Sequence, residues 1–214
     1  MSKDSLFSKK NIKLLSDPLN DENPITVQAL GVCSALAITV QLKPAIVMAI
    51  SVMVVLAVAN VLISLMRKLI PSRIRIIVQL VVIAALVILV DQVLKAFVYD
   101  VSKELSVFVG LIITNCIIMG RLEAFGMANG PWESFLDGIG NSFGYAWILI
   151  VVAFFRELLG SGTLYGYPVL EKLGLYETGY ENNGMMILPP MALITVGIII
   201  WIQRMRNEKL IQSK

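Results

Sequence analysis

The sequence predicts an all-α integral membrane protein with six membrane-spanning helices, and three observations carry that reading. Of the 214 residues, 57% are hydrophobic and 15% charged, and the mean hydropathy is +0.79. Soluble domains carry about 25% charged residues, and surface area grows too fast relative to volume for a soluble fold of this size to hide so much apolar surface. Cutting the chain at its charges leaves six long uncharged runs: Asn23–Leu42, Pro44–Met66, Ile76–Val90, Leu105–Gly120, Gly138–Phe155 and Asn182–Gln203. Finally, Lys and Arg fall unequally on the two sides of six alternating spans, thirteen against five. That asymmetry encodes membrane orientation.

Taken in order, residues 1–22 form a polar segment of mixed charge with no apolar signal-type stretch, so no cleaved leader is expected and insertion starts from the first run. A spanning helix needs about 20 residues. Four runs reach that range, at 20, 23, 18 and 22 residues. The third, of 15 residues, reaches it only with Asp91 and Lys95 near an interface, where Lys can snorkel. The fourth, of 16, is short. Residues 23–206 make the membrane domain and 207–214 a tail. The basic majority (Lys3 to Lys13, Arg67 to Arg75, Arg121, Arg204 onward) puts both termini in the cytoplasm. The fifth connection then lies outside, and its Tyr165, Tyr167, Tyr176 and Tyr180 suit the headgroup zone.

Composition also excludes chemistry. There is no His, which removes histidine-based acid–base catalysis and the usual zinc and haem ligands. Two cysteines, Cys33 and Cys116, are too few for a disulfide scaffold or a complete four-thiolate site. No Gly-x-Gly-x-x-Gly follows a strand, so the chain itself binds neither NADH nor flavin. A net charge of +3, spread between apolar runs, is no nucleic-acid patch.

Six spans split into halves of about 23–98 and 100–206. Because three is odd, similar halves would lie in opposite orientations, as in inverted-repeat transporters; six unrelated helices account for the pattern equally well. Each half opens with a Cys-bearing run, one containing Pro24 and Gly31, the other bounded by Gly110 and Gly120. Short or Gly/Pro-interrupted segments at matching positions point to a midplane site, so the first and fourth helices are expected to break near their Cys. The residues alone leave three readings of the pair: small buried hydrophobes, a disulfide, or part of a metal site.

Among the acids, Asp91 is the one placed deepest by sequence, with Lys95 at i+4. It reads either as a functional carboxylate, the default for an intramembrane acid, or as an interface carboxylate paired with Lys95. Asp137, just before the fifth run, reads as the cap of the fifth helix. Arg156 and Glu157 read as structural contacts. Asn60, Thr114 and Asn115 read as hydrogen-bonding residues between helices.

Asn23-Pro-Ile-Thr-Val-Gln-Ala-Leu-Gly-Val-Cys33-Ser-Ala-Leu-Ala resembles the D-type membrane subunits of the sodium-translocating NADH:quinone reductases. So do Arg75-Ile-Ile-Val-Gln79, the stretch from Val90 through Thr114-Asn-Cys116-Ile-Ile-Met-Gly-Arg121, Asp137-Gly-Ile-Gly-Asn141 and Phe155-Arg-Glu-Leu-Leu-Gly-Ser-Gly162. The resemblance covers essentially residues 23–205. The E-type subunits of Rnf-type ferredoxin:NAD oxidoreductases share Leu-Gly-x-Cys and Thr-Asn-Cys but depart around Val32-Cys33-Ser34-Ala35 and Val90-Asp-Gln-Val-Leu-Lys95.

The resemblance implies inverted three-helix repeats and a homologous E-type partner of opposite topology in a six-subunit complex that carries the flavins and the NADH site elsewhere. It implies that Cys33 and Cys116 supply half the thiolates of an intramembrane iron–sulfur cluster, of the [2Fe-2S] type, and that the partner supplies the other half. The implied role is an electron relay during transfer from NADH to ubiquinone coupled to Na+ export, in a bacterial inner membrane, with no catalysis by this chain alone. Asp91 and Asp137 (the latter as an entrance) are then candidates for the Na+ pathway, since hard cations want oxygen ligands, and Asn115 reads alternatively as orienting a cluster sulfur. Alternative readings are the E-type subunit of the Rnf enzymes, a secondary transporter built on inverted repeats and Asp91, and a membrane scaffold.

Overall fold

The computed structural model describes residues 9–20, 22–71, 73–97, 109–168 and 184–206. Its main elements are helices: α1 (Lys9–Asn20), α2 (Val32–Ile38), α3 (Leu42–Met66), α4 (Arg75–Phe97), α5 (Val109–Ile113), α6 (Cys116–Arg121), α7 (Pro131–Gly160) and α8 (Pro189–Arg206). A π-helical turn, Leu122–Gly126, continues α6, and a 3₁₀ turn, Gly184–Ile187, leads into α8. Helices α3, α4 and α7 are long and apolar enough to cross a membrane, and α8 is a shorter apolar helix. These four occupy the second, third, fifth and sixth uncharged runs. The first and fourth runs are not single helices.

In the first run, residues 24–27 turn and α2 begins only at Val32. Ala29 and Gly31 have positive φ, +54° and +83°, which no helix accommodates. The fourth run is cut at Thr114–Asn115 between α5 and α6; its residues 105–108 lie outside the described set. Both interruptions fall beside the cysteine, where the Gly- and Pro-bearing sequence locates them.

Contacts divide the chain into two compact units, residues 1–31 with 49–145, and 32–48 with 146–214. In the first unit, α3 presents Val52, Val55, Leu56, Ala59, Asn60 and Ile63 to the interior, the three-and-four spacing of one helix face. Where α3 meets α7, a Cβ on Gly138 would sit 3.0 Å from Ala57 Cα. Such small-residue contacts let backbones approach where lipid offers no hydrophobic drive between helices.

A second close approach involves the amino-terminal segment, which composition marks only as polar. It contains α1, whose carboxy-terminal end lies on α7. A Cβ on Gly140 would meet Leu14 O at 2.7 Å, and one on Gly144 would overlap Pro18 O. Gly140-Asn-Ser-Phe-Gly144 is thus a small-xxx-small groove. Asn23 closes it, donating from Nδ2 to Gly144 O at 3.1 Å while its Oδ1 accepts from Ile25 N and Thr26 N.

The π turn and the loop that follows it are anchored from α3 and α4. Ser64 Oγ donates to Asn129 O, and Arg67 Nη1 to Ala128 O and Asn129 O. From α4, Arg75 pairs with Glu123 and Gln79 Nε2 donates to the same carboxylate.

In the second unit, α2 packs on α8, which buries Ala192 and Val196. After α7 the chain makes a two-residue hairpin, Thr163–Leu164 against Tyr167–Pro168. Tyr165 and Gly166 both take positive φ, as a type I′ turn requires. Tyr165 and Tyr167 are exposed; Tyr176 and Tyr180 lie outside the described residues.

Candidate functional site

Cys116 is the first residue of α6, and Asn115 is its N-cap, with extended φ/ψ (−67°, 120°) and Oδ1 accepting from Ile117 N at 3.4 Å. That bond fixes the amide orientation and leaves Asn115 Nδ2, fully buried, without an acceptor. From the first Cys-bearing segment, the backbone N–H of Gly31 donates to Cys116 Sγ at 2.8 Å. Tyr145, fully buried on α7, holds Gly31 in place: a Cβ there would lie 3.0 Å from its ring. An N–H aimed at a sulfur offsets part of the negative charge of a metal-bound thiolate.

Around Cys116 the donor set suits an anionic, thiolate-held group: a thiol, an N–H on its sulfur, and a buried amide donor lacking an acceptor. An iron–sulfur cluster is such a group. Cys33 belongs to the second unit, as the second residue of α2. It is exposed, whereas Cys116 is half-buried, and both are thiols rather than disulfide sulfurs. Ser34 and Ala35 beside Cys33 are buried.

A polar track runs along α7. Ser134, Asp137 and Asn141, at three- and four-residue spacing, share one helix face and are buried. Asp137 is only 1% exposed and pairs with Arg121, whose Nε donates at 3.1 Å. Since α7 starts at Pro131, a favoured first helical residue, Asp137 lies inside the helix. The cap reading of Asp137 is therefore replaced by a buried ion pair. Asn141 Nδ2 donates to Asp137 Oδ1 and to its backbone O, both at 3.0 Å. Across from α3, Asn60 Nδ2 donates to Ser134 O at 3.0 Å, the interhelical bond expected of Asn60. These commitments leave three buried oxygens without donors: Asn60 Oδ1, Ser134 Oγ and Asn141 Oδ1.

Elsewhere the sequence expectations fare differently. Asp91 pairs with Lys95 at 2.6 Å, as the interface reading expects. Thr114 bonds its own helix at Gly110 O, and Asn115 its own α6, so neither bridges helices through these bonds. Arg156 and Glu157 are both buried and hydrogen-bonded, as structural residues should be. Gly31 as a donor, Tyr145 and the Arg121–Asp137 pair carry no mark in the sequence. Only the three-and-four spacing of Ser134, Asp137 and Asn141 could have signalled the track.

The family described as "Rnf-Nqr subunit, membrane protein" matches residues 11–200, nearly the whole chain. The chain belongs to the Rnf-Nqr family of membrane subunits. Within that family it is 54% identical over 209 residues to a Photobacterium profundum protein, covering 97% of this chain and 98% of that one. It is 57% identical over 190 residues to a Haemophilus ducreyi protein, covering 88% and 91%. An Aeromonas hydrophila protein is 55% identical over 204 residues, covering 94% and 96%. All three are named as the D-type subunit of a Na(+)-translocating NADH-quinone reductase. The Rnf-Nqr family assignment and the apolar α3, α4 and α7 agree on a membrane-embedded chain.

Proposed function

We propose that this chain is the D-type subunit of a Na+-translocating NADH:quinone reductase, one part of a multisubunit enzyme and not catalytic alone. The observation that carries the reading is the near full-length likeness to proteins of that name. It favours the quinone reductase over the Rnf-type alternative. The six uncharged runs then correspond to six spans in two inverted repeats, with both termini cytoplasmic in a bacterial inner membrane and an E-type partner of opposite topology.

Within that complex, Cys33 and Cys116 each offer a thiolate to an iron–sulfur cluster completed by two thiolates of the partner. When bound, such a cluster supplies a one-electron relay. The residues of this chain orient and solvate it. Gly31 N–H steadies the Cys116 sulfur, Asn115 sets the start of α6, and its spare Nδ2 is a donor for an anionic neighbour. Four thiolates on iron are strongly anionic, so N–H donors and surrounding dipoles offset their burial.

Na+ export needs oxygen ligands. Asp137 with the unpaired oxygens of Asn60, Ser134 and Asn141 supplies that chemistry on the cytoplasmic side; Asp91, engaged by Lys95, is the second candidate on the pathway.

The test is Cys33→Ser and Cys116→Ser in the intact complex, read by EPR and quinone reduction. Loss of an iron–sulfur signal together with activity is expected. A double variant retaining both overturns the proposal.

A further inference from the structure

Among the described residues, Arg156 is the largest fully buried side chain of the second unit, 1% exposed, on α7. All five of its N–H groups are committed. Nε donates to Met186 O at 3.1 Å, Nη1 to Thr39 Oγ1 at 2.6 Å and Leu36 O at 3.4 Å, and Nη2 to Ile187 O at 2.6 Å and Leu188 O at 3.4 Å. Every acceptor is a neutral carbonyl or hydroxyl, and no carboxylate touches the guanidinium among these bonds. The adjacent Glu157 turns instead to the N–H of Leu42 at the start of α3.

Two residues of α7 therefore grip the bend between α2 and α3 from both sides. Arg156 takes the carboxy-terminal groups of α2, and Glu157 takes the first amide of α3. Capping carbonyls needs donors, but it does not need a charge. A guanidinium meets five acceptors where a neutral amide offers two N–H groups, but it carries the desolvation cost of an ion, and the uncompensated charge it brings can serve a function beyond capping.

What lies at the other end of α2 supplies that function. The helix has seven residues, so it is about 10 Å long at 1.5 Å per residue, and Cys33 is its second residue. Leu36, whose carbonyl Arg156 holds, is one turn from Cys33. A unit charge held about one or two helical turns away acts on a charged sulfur through space.

We propose that Arg156 is a positioning residue for Cys33, fixing the short helix that carries it and placing a permanent positive charge beside whatever anionic group the sulfur holds. The inference rests on the cluster reading above. A nearby cation favours the more negative, reduced state, so Arg156 raises the midpoint potential of that group. Glu157 opposes it.

The experiment is a redox titration of the Cys33- and Cys116-dependent EPR signal in membranes containing the whole complex. Arg156→Gln should move the midpoint to lower potential with signal amplitude retained, Arg156→Lys should hold it near the unmodified value, and Thr39→Val, which leaves the charge in place, should not move it. An unmoved midpoint in a signal-bearing Arg156→Gln complex overturns this inference alone, as does an equal drop in Arg156→Lys. Should Arg156→Gln fail to assemble, Glu157→Gln asks the same question with opposite sign: a rise supports the inference and no change overturns it. Absence of any such signal in the unmodified complex overturns the cluster reading, and this inference with it.

Discussion

The backbone N–H of Gly31 donates to the sulfur of Cys116 across 2.8 Å and 85 positions of sequence. This bond needs a chain that turns back on itself, and Gly31, at φ +83°, provides the turn. It also needs a residue without a side chain, since the Tyr145 ring occupies the space where a Cβ would go. One glycine thus meets a backbone demand, a packing demand and an electrostatic one.

Gly31→Ala should fail on the first two counts. Left-handed backbone costs a non-glycine residue about 1–2 kcal/mol, and the ring must also shift. A lowered melting temperature in detergent and an altered iron–sulfur EPR lineshape are expected. Normal values of both would show that the contact is dispensable.

Asn115 serves α6 through Oδ1 and leaves Nδ2 over, so two substitutions separate the two ends. Asn115→Ala should cost about 1 kcal/mol through the lost cap. Asn115→Asp keeps a capping oxygen and removes the spare donor. It should melt closer to the unmodified protein than Asn115→Ala does, yet lower the midpoint potential of the signal, because a donor to an anionic group becomes an acceptor.

The Arg121–Asp137 pair is buried on the Asp137 side, with 13% of the Arg121 side chain and 1% of the Asp137 side chain exposed. Removing one member of a buried pair costs about 3–5 kcal/mol because the other is left unpaired. Arg121→Met, which takes the cation away from the Asp137 carboxylate and leaves it the Asn141 amide, should sit near that figure in a chemical melt. Asp137→Asn should raise the Na+ concentration for half-maximal turnover by about tenfold, equivalent to about 1.4 kcal/mol. An unchanged Na+ dependence would remove Asp137 from the pathway.

Gly140 faces backbone, not a flexible side chain: Leu14 O lies 2.7 Å from the place of its Cβ. Gly140→Ala should therefore push α1 off α7, seen as faster proteolysis within residues 9–20. By contrast, Glu123→Gln loosens the Arg75 pair, in which both side chains are about a third or more exposed (35% and 40%), and should change stability by under about 1 kcal/mol.

The long helices were legible because unbroken apolar composition leaves the chain few alternatives in lipid. The breaks at Gly31 and Asn115 were legible too, through Pro24, the glycines and the shortness of the fourth run. The start of α7 was not. Its apolar run begins at Gly138, yet the helix reaches back to Pro131, because the intervening Glu133 and Asp137 are tolerated once Asp137 is paired with Arg121. A pattern of charges cannot announce a partner 16 residues away. Helix α1 was missed for a related reason: its polar sequence gains order by resting on Gly140 and Gly144, a contact visible only in three dimensions. Arg156 reads from the sequence as a structural contact, but the acceptors that enclose it, from α2, the turn after it and the approach to α8, are visible only in three dimensions.

Helix α4 buries little of itself, leaving Ile76, Ile77, Val81, Ile88, Leu89 and Val93 at the surface. Water would meet a wide oily flank there. Stripped of lipid and neighbours, the polypeptide should hold a thick collar of detergent around that flank and clump on dilution below the micelle threshold, so its biochemistry belongs in bilayers or nanodiscs.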